Sequence, residues 1–387
     1  MLVPVVVRDK NGQVIGDLHK EDFTVLDDGK PRAISSIMVE KRLPPRFVPN
    51  TNPQSSTTGS NESKGTFSAP RFVVFLFDDM HMSFTDLAAA KSAASRLLST
   101  AFEESDMVGI VSISGAVNSG LIRDQAKLQE AIASMRPHSV YRADGADCPN
   151  IDFYQADQIQ NKHDPVALAA AVQQVFSCSP SLDTRRDQDM AERIAQSAAM
   201  RAQTLGHQDV QATYAAMAEF VRRVAALPGQ RTIVLISSGF LSLSQDERTF
   251  ESRVMDLAAQ SNVVISALDA RGLYTSELTA SERSQGSMTT MQLKADYYRS
   301  SMRANDNVMA ELADATGGTY FHNSNDLDAG LKAVTTFPEC VYTLELTLDG
   351  VKQNGSFHRL SVKVHRDGAQ SRARHGYFAP KLDKKTK

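Results

Sequence analysis

The fold is decided by the stretch Arg71-Phe-Val-Val-Phe-Leu-Phe-Asp-Asp-Met-His-Met-Ser83. Its unbroken apolar run, residues 72–77, is typical of a strand that is buried on both faces inside a parallel sheet. Acidic and hydroxyl side chains follow the run, and a helix is expected from about Thr85. Because ligands of open α/β sheets bind beyond the carboxyl ends of the strands, this stretch also predicts where a site lies.

The alternation of strands and helices continues over residues 71–337. Strand-like runs alternate with helical patterns, with strands at 72–77, 107–113, 232–237 and 262–268 and helices at 85–103, 209–227, 246–260 and 303–315. This order implies right-handed crossovers and a mostly parallel sheet that is covered on both faces. We therefore predict a doubly wound α/β domain over residues 71–337.

Two insertions interrupt the alternation. Residues 137–208 contain two cysteines and helical stretches near 164–176 and 183–205, while residues 271–302 are polar and directly follow a predicted strand. Both insertions leave the carboxyl edge of the predicted sheet. Long loops at such an edge more often bind ligands or act as lids than merely connect elements, although disorder is an alternative for the second insertion.

Both ends of the chain show the apolar and polar alternation of β-strands. Residues 1–43 and 338–380 each contain short strands separated by tight-turn sequences. Either segment alone would leave open edges, and an isolated hairpin is marginally stable. We predict that the two segments pair in one sandwich-like β module. Residues 44–70, rich in Pro, Ser, Thr, Asn and Gly, are predicted to be a flexible linker, and residues 381–387 a basic tail.

The composition argues against several classes of function. The hydrophobic content of 42% and the charged content of 22% are ordinary for a globular protein. A formal net charge of −3 gives no electrostatic reason to expect nucleic acid. No apolar run approaches the ~20 residues that span a bilayer. No signal peptide precedes the first strand-like run, so export would require this chain to be the mature part of the protein.

Polar side chains follow the first predicted strand at alternate positions. Asp79, His81 and Ser83 would face the same way in a short extended segment and could form a cation site. Each has an ordinary role as well. Asp79 could brace the turn between strand and helix, and Ser83 could cap the helix.

Two further strand ends carry candidate ligands. Ser237 ends the strand at 232–237, and Asp269 follows the strand at 262–268. Both would lie at the same edge of a parallel sheet as the first strand. The alternatives are an ordinary turn at Ser237 and an ion pair between Asp269 and Arg271.

Three cysteines are present in the sequence. Cys148 and Cys178 enclose a loop of roughly 30 residues, and a bridge between them would contribute roughly 3–4 kcal/mol in the chain-entropy model. Composition alone is equally compatible with reduced thiols. Cys340 has no evident partner.

Several motifs spread along the chain resemble one family. They are Asp28-Gly29-Lys30-Pro31, Phe77-Asp78-Asp79, Asp147-Cys148-Pro149, Ile236-Ser237-Ser238-Gly239-Phe240, Ala267-Leu-Asp-Ala-Arg-Gly272 and Arg374-His-Gly-Tyr-Phe-Ala-Pro380. Together they resemble the von Willebrand factor A domain, and within it the VWFA-related domain described mainly from acidobacterial genomes. Each motif is weak alone, and the set is specific.

The resemblance implies a metal-ion-dependent adhesion site for Mg²⁺ or Mn²⁺. Such a site begins Asp-x-Ser-x-Ser and is completed by a Thr, an Asp and a partner's carboxylate; here Asp79, His81 and Ser83 match the first part, with Ser237 and Asp269 as the other candidates. His81 replaces a Ser, and Ser238-Gly239 stands where Asp-Gly is expected. Fewer carboxylates weaken divalent cation binding, and imidazole prefers softer metals, so the site is degenerate and a metal-free state is the alternative.

The resemblance also implies a function. It implies a non-enzymatic adhesion or protein-binding module, with a protein partner, exported to the periplasm or the cell surface. That compartment favours a disulfide between Cys148 and Cys178. The alternatives are a metal-free interaction scaffold and a metal-dependent hydrolase or transferase with His81 as its base. No phosphate-binding loop, His-Glu-x-x-His or Gly-x-Ser-x-Gly motif supports an enzyme.

Overall fold

The computed structural model describes residues 1–41, 71–102, 106–138, 148–228, 230–273, 288–336, 340–351, 354 and 356–379. The predicted linker at 44–70 and the basic tail at 381–387 lie outside the described residues, as do residues 139–147 of the first predicted insertion and 274–287 of the second.

The elements follow one another in three groups. The N-terminal segment forms β1 (Leu2–Arg8), β2 (Phe23–Asp27), β3 (Lys30–Arg32) and β4 (Ile34–Lys41). The central strands are β5 (Arg71–Phe77), β6 (Met107–Ser112), β7 (Asn118–Ile122), β8 (Gln230–Ser237), β9 (Val263–Asp269) and β10 (Tyr320–Phe321). The helices are α1 (Phe84–Leu98), α2 (Gln125–Ser134), α3 (Phe153–Gln160), α4 (Pro165–Cys178), α5 (Gln188–Ala225), α6 (Gln245–Gln260), α7 (Met288–Thr316) and α8 (Leu327–Thr335). The C-terminal strands are β11 (Cys340–Leu346), β12 (Phe357–Val364), β13 (Gln370–Arg372) and β14 (Gly376–Phe378).

The central sheet has the strand order β10-β9-β8-β5-β6-β7. Its pairings are parallel except that of β6 with β7. Side chains of β5 alternate between two hydrophobic cores: Val74 and Leu76 pack toward α5, α6 and α7, and Phe75 and Phe77 pack toward α1, α2 and α8. A strand that buries both faces needs the continuous apolar run seen in the sequence. The predicted α/β fold with a mostly parallel sheet is confirmed.

Helix α5 differs from the sequence prediction. It runs unbroken for 38 residues, whereas two helices were expected at 183–205 and 209–227. Gly206 suggests a break in the sequence but lies inside the helix. A Cβ atom there would collide with the ring of Phe153, so this glycine permits close packing of α3 against α5. The two-helix prediction is wrong for this reason.

The second insertion also differs from expectation. Helix α7 begins at Met288, so residues 288–302 extend the helix expected at 303–315 and do not form a loop. Helices α3 and α8 were not predicted. Helix α3 is short and has few apolar residues, whereas Leu327, Leu331 and Val334 give α8 a helical spacing that the sequence prediction overlooked.

The two ends of the chain form two antiparallel sheets that share one core. One sheet has the order β13-β1-β11-β4 and the other β14-β12-β2-β3. Val3 pairs with Leu344 in the first sheet, and Val25 pairs with Val362 in the second. Strands from the two termini therefore cover each other's edges, as the open-edge argument predicts.

The β module contacts helix α6 through a buried arginine. Arg374 is 1% exposed; its guanidinium pairs with Asp256 and donates to the Ser252 hydroxyl at 3.1 Å. It also donates to the carbonyl oxygen of Gly376 at 2.8 Å. The bonds to Asp256 and Ser252 link the C-terminal strands to the α/β domain and provide the partners that a buried guanidinium needs.

Candidate functional site

A cleft of about 350 Å³ opens beyond the carboxyl ends of β5, β8 and β9. Met80 and His81 reach it from β5, and Arg271 reaches it from β9. The rest of its lining comes from the segment after β8 and from helices α3, α5 and α7, namely Asp152, Phe153, Gly206, Asp209, Val210, Ser238, Gly239, Phe240, Leu241, Met302 and Asn305. Both predicted insertions thus contribute walls. Of the five predicted metal ligands, only His81 lines the cleft.

His81 forms two ion pairs at the floor of this cleft. Its Nδ1 lies 2.8 Å from Oδ1 of Asp78, and its Nε2 lies 2.9 Å from Oδ2 of Asp209 on α5. The ring stacks on Phe240 with the centroids 5.5 Å apart. Burial alone would lower the pKa of His81, but the two carboxylates outweigh it and raise the pKa to about 10. At neutral pH both ring nitrogens therefore carry protons, and neither has a lone pair for a metal.

Asp78 and Ser237 extend this network to strand β8. The Ser237 hydroxyl donates to Oδ2 of Asp78 at 2.6 Å and accepts from the backbone N–H of Gly239 at 2.8 Å. Gly239 has a φ of +86°, and a Cβ atom there would approach Asn305 to 2.7 Å. Only glycine fits this turn, which brings the segment after β8 up to the cleft.

Asp79 and Ser83 face other partners. Asp79 is fully buried and accepts from the backbone N–H of Ser114 at 3.0 Å and from the Ser114 hydroxyl, and its Oδ2 lies 3.3 Å from Nδ1 of His138. Ser83 caps α1 by accepting from the N–H of Asp86 at 3.1 Å. The expectation that Asp79, His81 and Ser83 face the same way is wrong, because the chain turns after β5 and is not extended there.

Asp269 forms an ion pair with Arg271, which the sequence analysis gave as the alternative to metal binding. It accepts from the backbone N–H of Arg271 at 3.0 Å and from the guanidinium at 2.8 and 2.6 Å. Arg271 also donates to Asp306 on α7 at 2.5 Å. The arginine thus neutralises the carboxylate at the tip of β9 and fixes α7 over the cleft.

This arrangement does not fit a divalent cation. A hard cation needs several free oxygen atoms that converge on one point. The side chains of Asp79 and Asp269 are bound by protein donors in different places, and Ser237 donates its proton to Asp78. His81 contributes a positive charge of its own. Metal binding by these residues stays a prediction of the sequence.

A second group of polar side chains lies in the β module. Asp27, Asp28 and His358 bring their ligand atoms within 4.8 Å of one another and could hold a metal. The Nδ1 atom of His358 lies 2.9 Å from Asp27 and 3.2 Å from Asp28. Asp27 also accepts from Arg32 at 2.7 Å and from the Tyr377 hydroxyl at 3.0 Å. These bonds give the group a structural role, since they join β2, β3, β12 and β14.

Sequence reasoning missed the central participants of the cleft. Asp209 lies in a helix with many polar residues. Nothing in the sequence around it indicates that it pairs with His81. The sequence motif that contains Phe240 does not indicate that its ring stacks on His81. Asp79 was taken as the first ligand, whereas Asp78 forms the ion pair with His81. A buried position at a strand tip, which the apolar run predicts for Asp78, was the signal that could have identified it.

Cys148 and Cys178 form a disulfide with the Cα atoms 6.1 Å apart. It joins the segment before α3 to the last residue of α4. Cys340 is a buried free thiol in the β module. The predicted pairing is confirmed. None of the described helices combines the length and hydropathy needed to cross a membrane.

Comparisons with known proteins add little to this description. No protein-family model matches the chain, and no curated protein is significantly similar to it. A solved structure of an aerotolerance-related membrane protein from Bacteroides fragilis, carrying multiple mutations to serines, is 14% identical; the alignment covers 68% of this chain and 96% of that one, with a TM-score of 0.37. BatB from Bacteroides thetaiotaomicron is 13% identical over 67% of this chain and 95% of its own, with a TM-score of 0.34.

A third solved structure contains three N-terminal domains of the type V pili tip protein Mfa5 from Porphyromonas gingivalis. It is 8% identical over 90% of this chain and 67% of its own length, with a TM-score of 0.28. Identities and scores this low support no inference about function.

Proposed function

We propose that the protein is a non-enzymatic interaction module that binds a protein partner at the carboxyl edge of its central sheet. It would act as a von Willebrand A-type domain with a degenerate adhesion site. The observation that carries this proposal is the cleft together with two exposed apolar side chains at the same edge. Phe84 at the start of α1 is 71% exposed, and Leu273 after β9 is 58% exposed. Large apolar side chains beside a cleft are typical of binding surfaces.

The cleft supports recognition without a metal. Its two cationic side chains, His81 and Arg271, are already paired with carboxylates. Much of the remaining lining is apolar, with Met80, Phe153, Phe240, Leu241 and Met302 among the residues. Methionine and aromatic side chains adapt to apolar partners of different shape. We infer that the partner inserts an apolar side chain into the cleft and contacts Phe84 and Leu273 around it.

The disulfide supports a location outside the cytoplasm. Structural disulfides persist in oxidising compartments and are rare among reduced cytosolic proteins. The bridge between Cys148 and Cys178 belongs to the helical cap formed by α3, α4 and the start of α5, which forms one wall of the cleft. We therefore place the partner in the periplasm or at the cell surface.

The interaction surface can be tested by photo-crosslinking in cells that make the protein. A photoreactive residue at position 84 or 273 is expected to capture the same partner. A residue at position 222 should not, because Arg222 is exposed near the end of α5, at the opposite edge of the sheet. Adducts of equal yield from position 222, or none from positions 84 and 273, would contradict the proposal. Phe84→Ser is expected to reduce capture at position 273 without changing the melting temperature.

Metal titrations separate this proposal from its alternatives. We expect Mg²⁺ and Mn²⁺ to give no saturable heat in calorimetry with the wild type. A saturable heat that Asp79→Ala abolishes would instead support a metal-dependent adhesion site. Turnover of a phosphoester or peptide that is lost with the same variant would support the hydrolase alternative. A heat, including one with Zn²⁺, that His358→Gln removes and Asp79→Ala retains would assign the metal to the β module.

A further inference from the structure

A second cavity, of about 580 Å³, lies between the α/β domain and the β module. Helices α6 and α7 form one side of it, and strands β12 and β14 form the other. Glu251 and Glu311 line the helical side, and Phe357 and Phe378 line the strand side. The proposal of protein binding at the carboxyl edge does not involve this cavity.

The two carboxyl groups of the cavity form no ion pair with a described residue. Glu251 is 6% exposed, and Glu311 is partly buried. Among the described residues, no arginine, lysine or histidine forms an ion pair with either one. Buried carboxyl groups are normally paired or hydrogen-bonded, because an isolated charge is costly in a poorly solvated place. The cavity therefore has unused capacity to accept hydrogen bonds.

Two buried hydroxyl groups near Glu251 show the same deficiency. Tyr214 and Ser242 lie close enough to the Glu251 carboxyl group for their hydroxyls to lower its pKa, yet neither hydroxyl reaches full hydrogen-bond geometry with another described residue. Ser242 lines the cavity itself. Most buried polar atoms in folded proteins have a partner. A hydroxyl that faces a carboxyl group keeps lone pairs of its own, so the N–H groups of a ligand can donate to the Ser242 oxygen and to the carboxyl group together.

The opposite wall offers aromatic faces. Phe357 is 47% exposed, and its ring lies 5.2 Å from that of Phe378 in an edge-to-face arrangement. Aromatic faces attract organic cations and pack against their alkyl groups. Arg248, Arg359 and His375 also border the cavity, but all three are exposed, so solvent weakens their repulsion of a cation.

We propose that this cavity binds an organic cation, an alkylammonium or guanidinium group, between Glu251 and Glu311 on one side and Phe357 on the other. The N–H groups of the ligand donate to the two carboxylates and to the Ser242 hydroxyl oxygen, and its alkyl part packs on the aromatic ring. Such a group can belong to a small amine or to a lysine or arginine side chain of a partner. The experiment distinguishes these two sources.

Binding of a cation should release a proton. Burial, and after it the nearby carboxyl group of Glu311, raise the pKa of Glu251 to about 8. The ligand-free protein therefore holds a proton on Glu251 at neutral pH, and the bound cation replaces it. The charged and titratable groups around Glu251 are Tyr214 on α5, Arg248 on α6, Glu311 on α7, and Arg374 and His375 after β13. Below this pKa, affinity should rise about tenfold per pH unit, and above it the affinity should level off.

Calorimetry with the full chain tests the proposal. Butylguanidinium chloride and butylammonium chloride represent the small ligand, and capped peptides containing one arginine or one lysine represent a partner's side chain. We expect at least one of these four to bind, and the neutral isostere butylurea not to bind. Titration in buffers with different heats of ionisation, well below the pKa of Glu251, should show proton release. Preference for the peptide over the butyl compound assigns the site to a protein side chain, and the reverse preference assigns it to a small amine.

Matched variants connect the binding to the named residues. Glu251→Gln and Glu311→Gln should each weaken binding by about tenfold or more, the effect of losing one charged hydrogen bond. Glu219→Gln, which neutralises an exposed carboxylate on α5, should leave the affinity unchanged. Phe357→Ala alters an exposed ring and should weaken binding severalfold even if a glutamine variant folds poorly.

Three results would overturn the proposal. The first is no binding of any of the four cations to the wild type. The second is equal affinity of the wild type and the Glu251→Gln/Glu311→Gln double variant. The third is binding of butylphosphonate that Arg248→Gln abolishes, with no cation bound, because the cavity would then be an anion site.

Discussion

Replacing Asp78 with asparagine should destabilise the folded protein by about 3–5 kcal/mol. Asp78 is fully buried, and its carboxylate accepts from both the ring and the backbone N–H of His81 and from the Ser237 hydroxyl. The neutral amide would leave the imidazolium with Asp209 as its only carboxylate partner. Removing one partner of a buried ion pair costs more than the pair itself contributes. Urea denaturation followed by circular dichroism measures the change in the free energy of unfolding.

Two comparison variants show whether burial of the pair causes this effect. Asp328 pairs with Arg96 on the surface, where both side chains are more than half exposed, so Asp328→Asn should cost less than about 1 kcal/mol. The triple variant Asp78→Asn/His81→Phe/Asp209→Asn removes all three charges of this network and should recover much of the lost stability. Equal losses for Asp78→Asn and Asp328→Asn would show that the buried pair has no special role.

The same ion pairs should make stability depend on pH. The pKa of His81 is raised to about 10 in the folded protein from an ordinary value of 6.5. The folded state therefore binds the proton more tightly, and the stabilisation is fully present below about pH 6.5 and lost as the pH rises through about 10. Between these values the free energy of unfolding should fall by up to about 1.4 kcal/mol per pH unit relative to His81→Phe. A difference between the two proteins that does not change with pH would contradict this reading.

The second large effect is expected from the disulfide. Cys148→Ser/Cys178→Ser should lower the free energy of unfolding by about 3–4 kcal/mol, the chain-entropy value for a loop of this length. The sequence separation of the two cysteines is 30. The helical cap that they join has a core made largely of alanines, with Ala167, Ala171 and Ala195 fully buried. Small side chains bury little apolar area, so the cap depends on the covalent link.

Reduction provides an independent measurement of the same effect. Dithiothreitol should lower the urea midpoint of the wild type and of Cys340→Ser by similar amounts and should have no effect on the double serine variant. Wild-type stability that is insensitive to reductant would contradict the prediction. Alkylation of both thiols in freshly isolated protein, without prior reduction, would remove the support for a location outside the cytoplasm.

Much of the fold could be predicted because its signals are local and periodic. The apolar run at 72–77 predicted a strand buried on both faces, and β5 lies at the centre of the sheet between β8 and β6. The unpaired edges of the two terminal segments predicted that they pair, and β1 pairs with β11. Helix lengths were less predictable. A glycine such as Gly206 ends a helix or permits a close contact, and only the position of Phe153 decides which.

The site was less predictable because it depends on side-chain direction and on contacts between distant residues. The sequence placed ligands at the tips of β5, β8 and β9, and a cleft does open there. Alternation predicted that Asp79 and His81 face the same way. The chain instead turns after β5, and the turn directs the His81 ring toward Asp78. The pairing with Asp209 on α5 has no local signal. Resemblance to a family could not correct this, because His81 is the residue that departs from the family's motif.

Helix α5 connects two parts of the molecule mechanically. Its first half packs in the disulfide-bonded cap, and its second half packs against the central sheet. Gly206 and Asp209 on the same helix line the cleft between them. At 38 residues the helix is about 57 Å long, and it is continuous from the cap to the sheet. We expect a force applied to the cap to be transmitted to the central sheet along this single continuous helix.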